Sequence, residues 1–313
     1  MKENRKLPLK KSTRAFYREG KEIKGYSFFD FLHGYIYGRW PYLYIGVGTG
    51  EHPLAKVLRP LFNAFTYIFG GAQQPDGEVT FADTYHGKVV PTQAANQLVN
   101  VKEDIKLEDL EPLIPYAKAR DIILKNPDHI VVLDCPCRNS RQDPCLPMDV
   151  CLIIGEPFAS FILDHQPRRS RSISSQEAVQ ILKEEHQRGH VHHAFFKDAM
   201  LERFYAICNC CECCCGAMQA QRNGTRMLTS SGYIAVINDG LCSACGTCVE
   251  LCQFGALHLA GESARISDAD CMGCGVCVGH CPEGAIELVL HPEKGEPLII
   301  QELIKEVRET TPG

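Results

Sequence analysis

Residues 242–252 read CSACGTCVELC and residues 271–281 read CMGCGVCVGHC, two runs with the same spacing, C-x2-C-x2-C-x3-C. A constant offset of 29 residues relates them, and it also carries Gly255 onto Gly284, Ala256 onto Ala285 and Leu257 onto Ile286. This is an internal duplication. Dense thiolates make a soft site, which suits an iron–sulfur centre. In a 4Fe-4S cube each iron takes one cysteine sulfur, so a short loop wraps three corners, while the fourth cysteine lies too far along its run and reaches the other cube. A pair of zinc sites is the competing reading, but zinc modules bring two C-x2-4-C pairs together and need no interleaved repeat.

The two runs resemble the bacterial two-cluster ferredoxins over roughly residues 232–292. The resemblance implies a small duplicated βαβ domain with two 4Fe-4S clusters. One is held by Cys242, Cys245, Cys248 and Cys281, the other by Cys271, Cys274, Cys277 and Cys252. The second run ends in Cys281-Pro282 as the family does; the first has Gln253 where proline is usual.

Eighteen cysteines in 313 residues need an assignment. The first residues, MKENRKLPLK, show neither an apolar core nor a cleavage site, so no secretory signal is expected. The expected compartment is a reducing cytoplasm, where disulfides are rare and dense cysteines favour metal. Ten cysteines lie outside the duplicated runs, in two patches: Cys135, Cys137, Cys145 and Cys151, then Cys208, Cys210, Cys211, Cys213, Cys214 and Cys215. No single stretch can aim six neighbouring thiols at one cube, because successive side chains diverge on a helix or a strand. The two patches are therefore expected to face each other and hold one or two further iron–sulfur clusters. Zinc, or a redox-active or structural thiol patch, is the alternative.

These patches look like those of a microbial iron–sulfur protein group that couples a CPCR segment and a CNCCxCCC segment to a terminal two-cluster ferredoxin. That resemblance covers roughly residues 105–292 and implies electron transfer. The triplet Cys214-Cys215-Gly216 is similar to the CCG motif of heterodisulfide-reductase subunits, but that motif's long spacers and downstream pairing are absent.

Around these motifs the chain divides into a basic arm (1–25), an aromatic-rich attachment region (26–104), a cysteine-rich metal domain (105–231), the dicluster domain (232–292) and a C-terminal tail or helix (293–313). The expected fold class is α+β, a helical or mixed cysteine-rich domain followed by the ferredoxin-like one. Residues 1–24 carry nine Lys or Arg against three Glu, on a chain of net charge −5. That balance argues against general nucleic-acid binding. The arm reads either as a solvated, partly disordered segment or as a contact with an anionic membrane surface or acidic partner.

Residues 26–44 hold nine of the 26 aromatics, among them the single Trp40, which pack on the protein's own core, on a partner subunit or against headgroups. The uncharged run from Pro60 to Pro75 is shorter than the roughly 20 apolar residues a spanning helix needs, so no transmembrane helix is expected. Peripheral contact through residues 1–70, at the cytoplasmic membrane face, stays open.

Within the cysteine-rich domain, apolar spacing predicts a helix from about Asp109, closed near Asn126-Pro127, then a strand from Ile130 to Leu133. Ser174-Ser175-Gln176-Glu177 reads as a capping box opening a helix that stops at Gly189. The stretches DPCLPMDVC and RRSRSIS read as loop, and AMQAQRNG as the close of a short helix. His190, His192 and His193 are either substitute ligands or ordinary polar positions on a strand. Arg138 either donates toward a cluster or carboxylate, or is solvated.

No P-loop, dinucleotide fingerprint or nucleophile elbow is present, GVGTGEH at 46–52 being a weak glycine-rich match. The expected function is a multi-cluster iron–sulfur electron-transfer protein, or such a subunit of a larger oxidoreductase, with protein redox partners and no acid–base residues to name. Two other readings stay open. In one, an unusual cluster at the CPCR/CNCCECCC site is catalytic and reduces a small substrate; in the other, a zinc-stabilised interaction module is fused to a ferredoxin.

Overall fold

The computed structural model describes residues 9–57 and 81–310. The chain combines helices and strands, α+β as expected. Its larger part is one eight-stranded sheet made of β1 (Tyr85–Val89), β2 (Ile105–Leu107), β3 (Ile122–Asp134), β4 (Asp149–Glu156), β5 (Ser170–Ile173), β6 (Val191–Lys197), β7 (Arg203–Cys210) and β8 (Leu228–Thr229). The order across the sheet is β2-β3-β4-β7-β6-β1-β8, with β5 also on β3. Only the β1–β8 pair is parallel.

The sheet is buried on both faces, and β3 shows why. Side chains alternate along a strand, so Ile130 and Val132 enter one core while Val131 and Leu133 enter the other. Over the first face lie α5 (Thr92–Val99), α8 (Ser175–Gln187) and α12 (Ile300–Thr310). The opposite face is covered by α1 (Lys11–Gly20), α2 (Phe28–Arg39), α3 (Pro41–Thr49) and α7 (Phe158–His165). There Phe16 is fully buried and meets Phe31, Phe158 and Phe161 edge to face, at centroid distances of 5.3, 5.7 and 5.5 Å. Each such pair contributes about 0.5–1.5 kcal/mol beyond its burial. Among the further short helices are α4 (Phe81–Thr84), α6 (Pro136–Asn139) and α9 (Gly216–Arg222).

The helix expected from Asp109 is not formed. Leu110, Leu113 and Ile114 are buried at helical spacing, but on a chain of turns. Pro112 and Pro115 interrupt it, and Asp109 and Ala119 take left-handed conformations, φ 57° and 54°. The strand then starts earlier, at Ile122, and runs through Asn126-Pro127 as a register shift against β4. The RRSRSIS stretch is likewise no loop throughout, since Ser170–Ile173 pairs with β3, and DPCLPMDVC enters β4 at Asp149. The second helix runs from Ser175 to Gln187, with the Ser174 hydroxyl accepting from the Glu177 amide at 3.2 Å and Gly189 at φ 79°. Met218 and its neighbours form α9, the short helix read from AMQAQRNG.

Part of the basic arm is helix α1, which buries Ser12, Thr13 and Phe16. Of the nine aromatics in residues 26–44, six pack on the protein's own core, while Phe28, Phe29 and Trp40 stay exposed. The division at residues 104 and 105 does not follow the fold, because β1 lies inside the same sheet as β3 to β8. The run from Pro60 to Pro75 lies outside the described residues. Among those described, no helix is long and apolar enough to cross a membrane.

The remaining elements form a small C-terminal module: β9 (Tyr233–Ile237), α10 (Thr247–Leu251), β10 (Leu257–Ala260), β11 (Ser263–Ile266), α11 (Val276–His280) and β12 (Ile286–Leu290). β9 pairs antiparallel with β12, and β10 with β11. Gly246 and Gly275 open the two helices at φ 82° and 79°, a conformation that favours glycine. The module sits on one end of the large sheet. Val276 packs with Val89 and Val191, the Ser231 hydroxyl donates to Gly273 O at 2.7 Å, and Lys88 Nζ donates to Ser230 O at 2.9 Å.

Candidate metal centres

The cysteines of the module line two cavities. Cys242, Cys245, Cys248 and Cys281 surround one of about 330 Å3. Cys252, Cys271, Cys274 and Cys277 surround the other, about 350 Å3. Each crossing cysteine accepts from a backbone amide four residues on: Ala256 N–H to Cys252 Sγ and Ala285 N–H to Cys281 Sγ, both 3.3 Å. Such donors favour the thiolate. Burial pushes the metal-free Cys274 thiol up to about 12, so an adjacent cation is what would keep it ionised. Four thiols around each cavity, with amides on the crossing sulfurs, fit a 4Fe-4S cube in both places.

The other ten cysteines separate into groups of six and four. Cys135 directly follows β3 and caps α6, whose first turn carries Cys137. Cys151 on β4 faces Cys208 on β7 in register, and Cys210 follows two residues on, on the same face. Cys215 caps α9. Interactions link them as a ring: Cys208 to Cys151, Cys151 to Cys135, Cys135 to Cys137, Cys137 to Cys215, Cys215 to Cys210, with Cys210 next to Cys208 again. Together with Cys211 and Cys214 they line a cavity of about 460 Å3, part of it open to solvent. The second group is Cys145, Cys211, Cys213 and Cys214, whose Sγ atoms all lie within 4.8 Å of one another.

Six metal-free thiols in one ring cannot all ionise. Cys137 and Cys151 pull Cys135 down, and that neighbour pushes Cys137 and Cys151 well above the ordinary thiol range. A multiply charged cationic centre removes the conflict, because it holds every ligand as thiolate. The ring is a soft, sulfur-only donor set around a partly open cavity, and it fits an iron–sulfur cluster.

Arg138 is no solvated side chain. It is 1% exposed and pairs with the equally buried Glu185 at 2.6 Å. Burial alone would lower Arg138, but Glu185, Cys135 and Cys211 raise it, so a fixed positive charge lies beside the thiol ring. His190 contacts the same Glu185 at 2.7 Å, and His192 contacts Asn209 Oδ1 at 2.6 Å. His193, directly across from Cys208, is buried with neither ring nitrogen hydrogen-bonded, and its ring lies 6.5 Å from Phe254 of the module. None of the three lines the ring cavity.

Residue-by-residue reading of the sequence missed Tyr37, Tyr85 and Asn209, which line that cavity. The Tyr37 hydroxyl also meets that of Tyr205 at 2.7 Å. Tyr37 had a signal in the aromatic density of residues 26–44; the others sit on strands with nothing in their neighbours to mark them.

Gln253, the departure from the proline of the two-cluster pattern, accepts the Glu212 backbone N–H at 2.8 Å. The turn inside CNCCECCCG is thereby bonded to the residue after Cys252. His280 Nε2 adds a contact to Gln187 O at 3.1 Å.

Residues 241–285 match the 4Fe-4S dicluster domain family. The chain therefore carries a C-terminal ferredoxin-like iron–sulfur domain, which points to iron–sulfur electron transfer. No curated protein matches the chain.

Proposed function

We propose that this protein is an iron–sulfur electron carrier, or the electron-transfer subunit of a larger oxidoreductase, in which a third cluster on the large sheet exchanges electrons with a dicluster module docked against it. The observation that carries this reading is the convergence of Cys135, Cys137, Cys151, Cys208, Cys210 and Cys215 from separate strands and turns onto one cavity. In the module, Cys242, Cys245, Cys248 and Cys281 take one cube and Cys252, Cys271, Cys274 and Cys277 the other, in two halves related by duplication. The second cube is the inner one, since Met272 and Val276 beside its ligands pack on the sheet domain. Cys245 of the first is exposed and marks the outer end, where a protein redox partner docks. Residues 1–70 supply attachment to that larger complex or to a cytoplasmic membrane face, with Phe28, Phe29 and Trp40 left uncovered for it.

The experiment is low-temperature EPR of the reduced, anaerobically prepared full chain and of its Cys135→Ser/Cys151→Ser variant. A signal lost in the variant while the dicluster signals persist supports the third cluster. Identical spectra contradict it.

Two observations favour a catalytic role for the same site: six thiols exceed the four corners of a cube, and Tyr37 and Tyr85 line the same cavity. A spectral change on adding a small disulfide substrate to the reduced protein distinguishes that reading from pure electron transfer.

A further inference from the structure

The four thiols left out of the ring have a spacing of their own. Cys145 Sγ lies 3.1 Å from Cys213 Sγ, which lies 3.6 Å from Cys214 Sγ, and all four sulfurs, Cys211 included, fall within 4.8 Å of one another. Four sulfurs at about 2.3 Å from one tetrahedral zinc ion stand about 3.8 Å apart. On a cube every thiolate binds a different iron, so the sulfurs stand further apart. The molecule supplies its own yardstick: no three of the eight cysteines around the two ferredoxin cavities meet the 4.8 Å limit, and no three of the ring do.

We infer that Cys145, Cys211, Cys213 and Cys214 bind a single tetrahedral zinc ion. A closed set of four thiolates leaves no open coordination position, which is the pattern of a structural site rather than a catalytic one. Zinc with four thiolates carries a net charge of −2, and the structure places a cation against it. Arg141 donates from Nη2 and Nε to Cys214 O at 3.1 and 3.3 Å and pairs with Glu51 on its other side.

The ion would tie two segments together. Cys145 lies between α6 and β4, in residues 140–148 that form no helix or strand, and the other three lie in the turn after β7. Cys211 and Cys214 are chain neighbours of the ring residues Cys210 and Cys215. A clamp on the turn therefore fixes the direction in which the ring thiols point, without taking part in electron transfer.

This assignment extends the metal-site reading of the same domain, and the two fail separately: iron and sulfide report on the ring, zinc on these four thiols. The test is zinc, iron and sulfide content of the full chain, prepared anaerobically from iron-replete cells, with zinc K-edge EXAFS. One zinc per chain with four sulfur neighbours at about 2.3 Å, lost in Cys145→Ser/Cys213→Ser, is expected. Zinc that the variant retains, a single iron in its place, or four irons with matching sulfide lost from the variant would overturn the assignment. Should the variant fail to fold, the sulfur count around zinc in the unaltered protein still decides.

Discussion

At the scale of single residues, the most consequential group outside the thiols is the buried pair of Arg138 and Glu185. Burial would raise the Glu185 carboxyl, but His190 and Arg138 outweigh it and hold it below its ordinary range. Glu185 also accepts from Arg188 at 3.1 Å, so one carboxylate on α8 anchors the arginine that stands beside the ring. Removing one partner of a buried ion pair leaves the other charge uncompensated, at a cost of about 3–5 kcal/mol. Glu185→Leu is therefore expected to lower the denaturant midpoint by an amount of that order, and Arg138→Met/Glu185→Leu to recover much of it. Equal loss in the single and double variants would show that the pair is not the source. Sequence alone offered Arg138 as a donor because it follows Cys137. Its carboxylate partner lies 47 residues away, and no local pattern announces it.

Among elements, legibility followed how local the causes were. The helix Ser175–Gln187 could be read because its cap, its apolar stripe and its glycine stop all lie within its own sequence. Residues 109–121 could not, because burial of Leu110, Leu113 and Ile114 by a winding chain produces the same spacing as a helix. The strand Ser170–Ile173 was hidden for a related reason: it is short, polar at three of its four positions and defined only by its partner β3. Gln253 belongs to this scale too, since it joins the module to the cysteine turn through the Glu212 amide. Cys252 and Cys281 both adopt the extended conformation that tolerates a following proline, φ −72° and −73°. Gln253→Pro is thus expected to keep both module clusters and the fold, yet slow electron exchange between the module and the ring. Flash reduction followed at the cluster absorbances checks this; unchanged kinetics would remove Gln253 from the coupling.

For the molecule as a whole, the sequence located every thiol and proposed that the two outer patches face each other. It could not divide them. The division depends on the β4–β7 register, which sets Cys151 opposite Cys208, and on the turn after Cys210, which gathers Cys211, Cys213 and Cys214 with Cys145 before Cys215 returns to the ring. The nine-residue run CNCCECCCG places Cys208, Cys210 and Cys215 in the ring and Cys211, Cys213 and Cys214 in the close four-sulfur group, Cys211 and Cys214 also bordering the ring cavity. The placement of β1 within the main sheet was equally out of reach, because its partners β6 and β8 lie more than a hundred residues further along.

The central claim is that the six-thiol ring holds an iron–sulfur cluster in addition to those of the dicluster module. Iron and acid-labile sulfide per chain, measured on the intact protein from iron-replete anaerobic preparation, test it most directly. The account predicts at least about twelve irons with matching sulfide, falling to about eight in Cys151→Ser/Cys208→Ser. About eight irons in the unaltered protein, all of them retained in that variant, would contradict it.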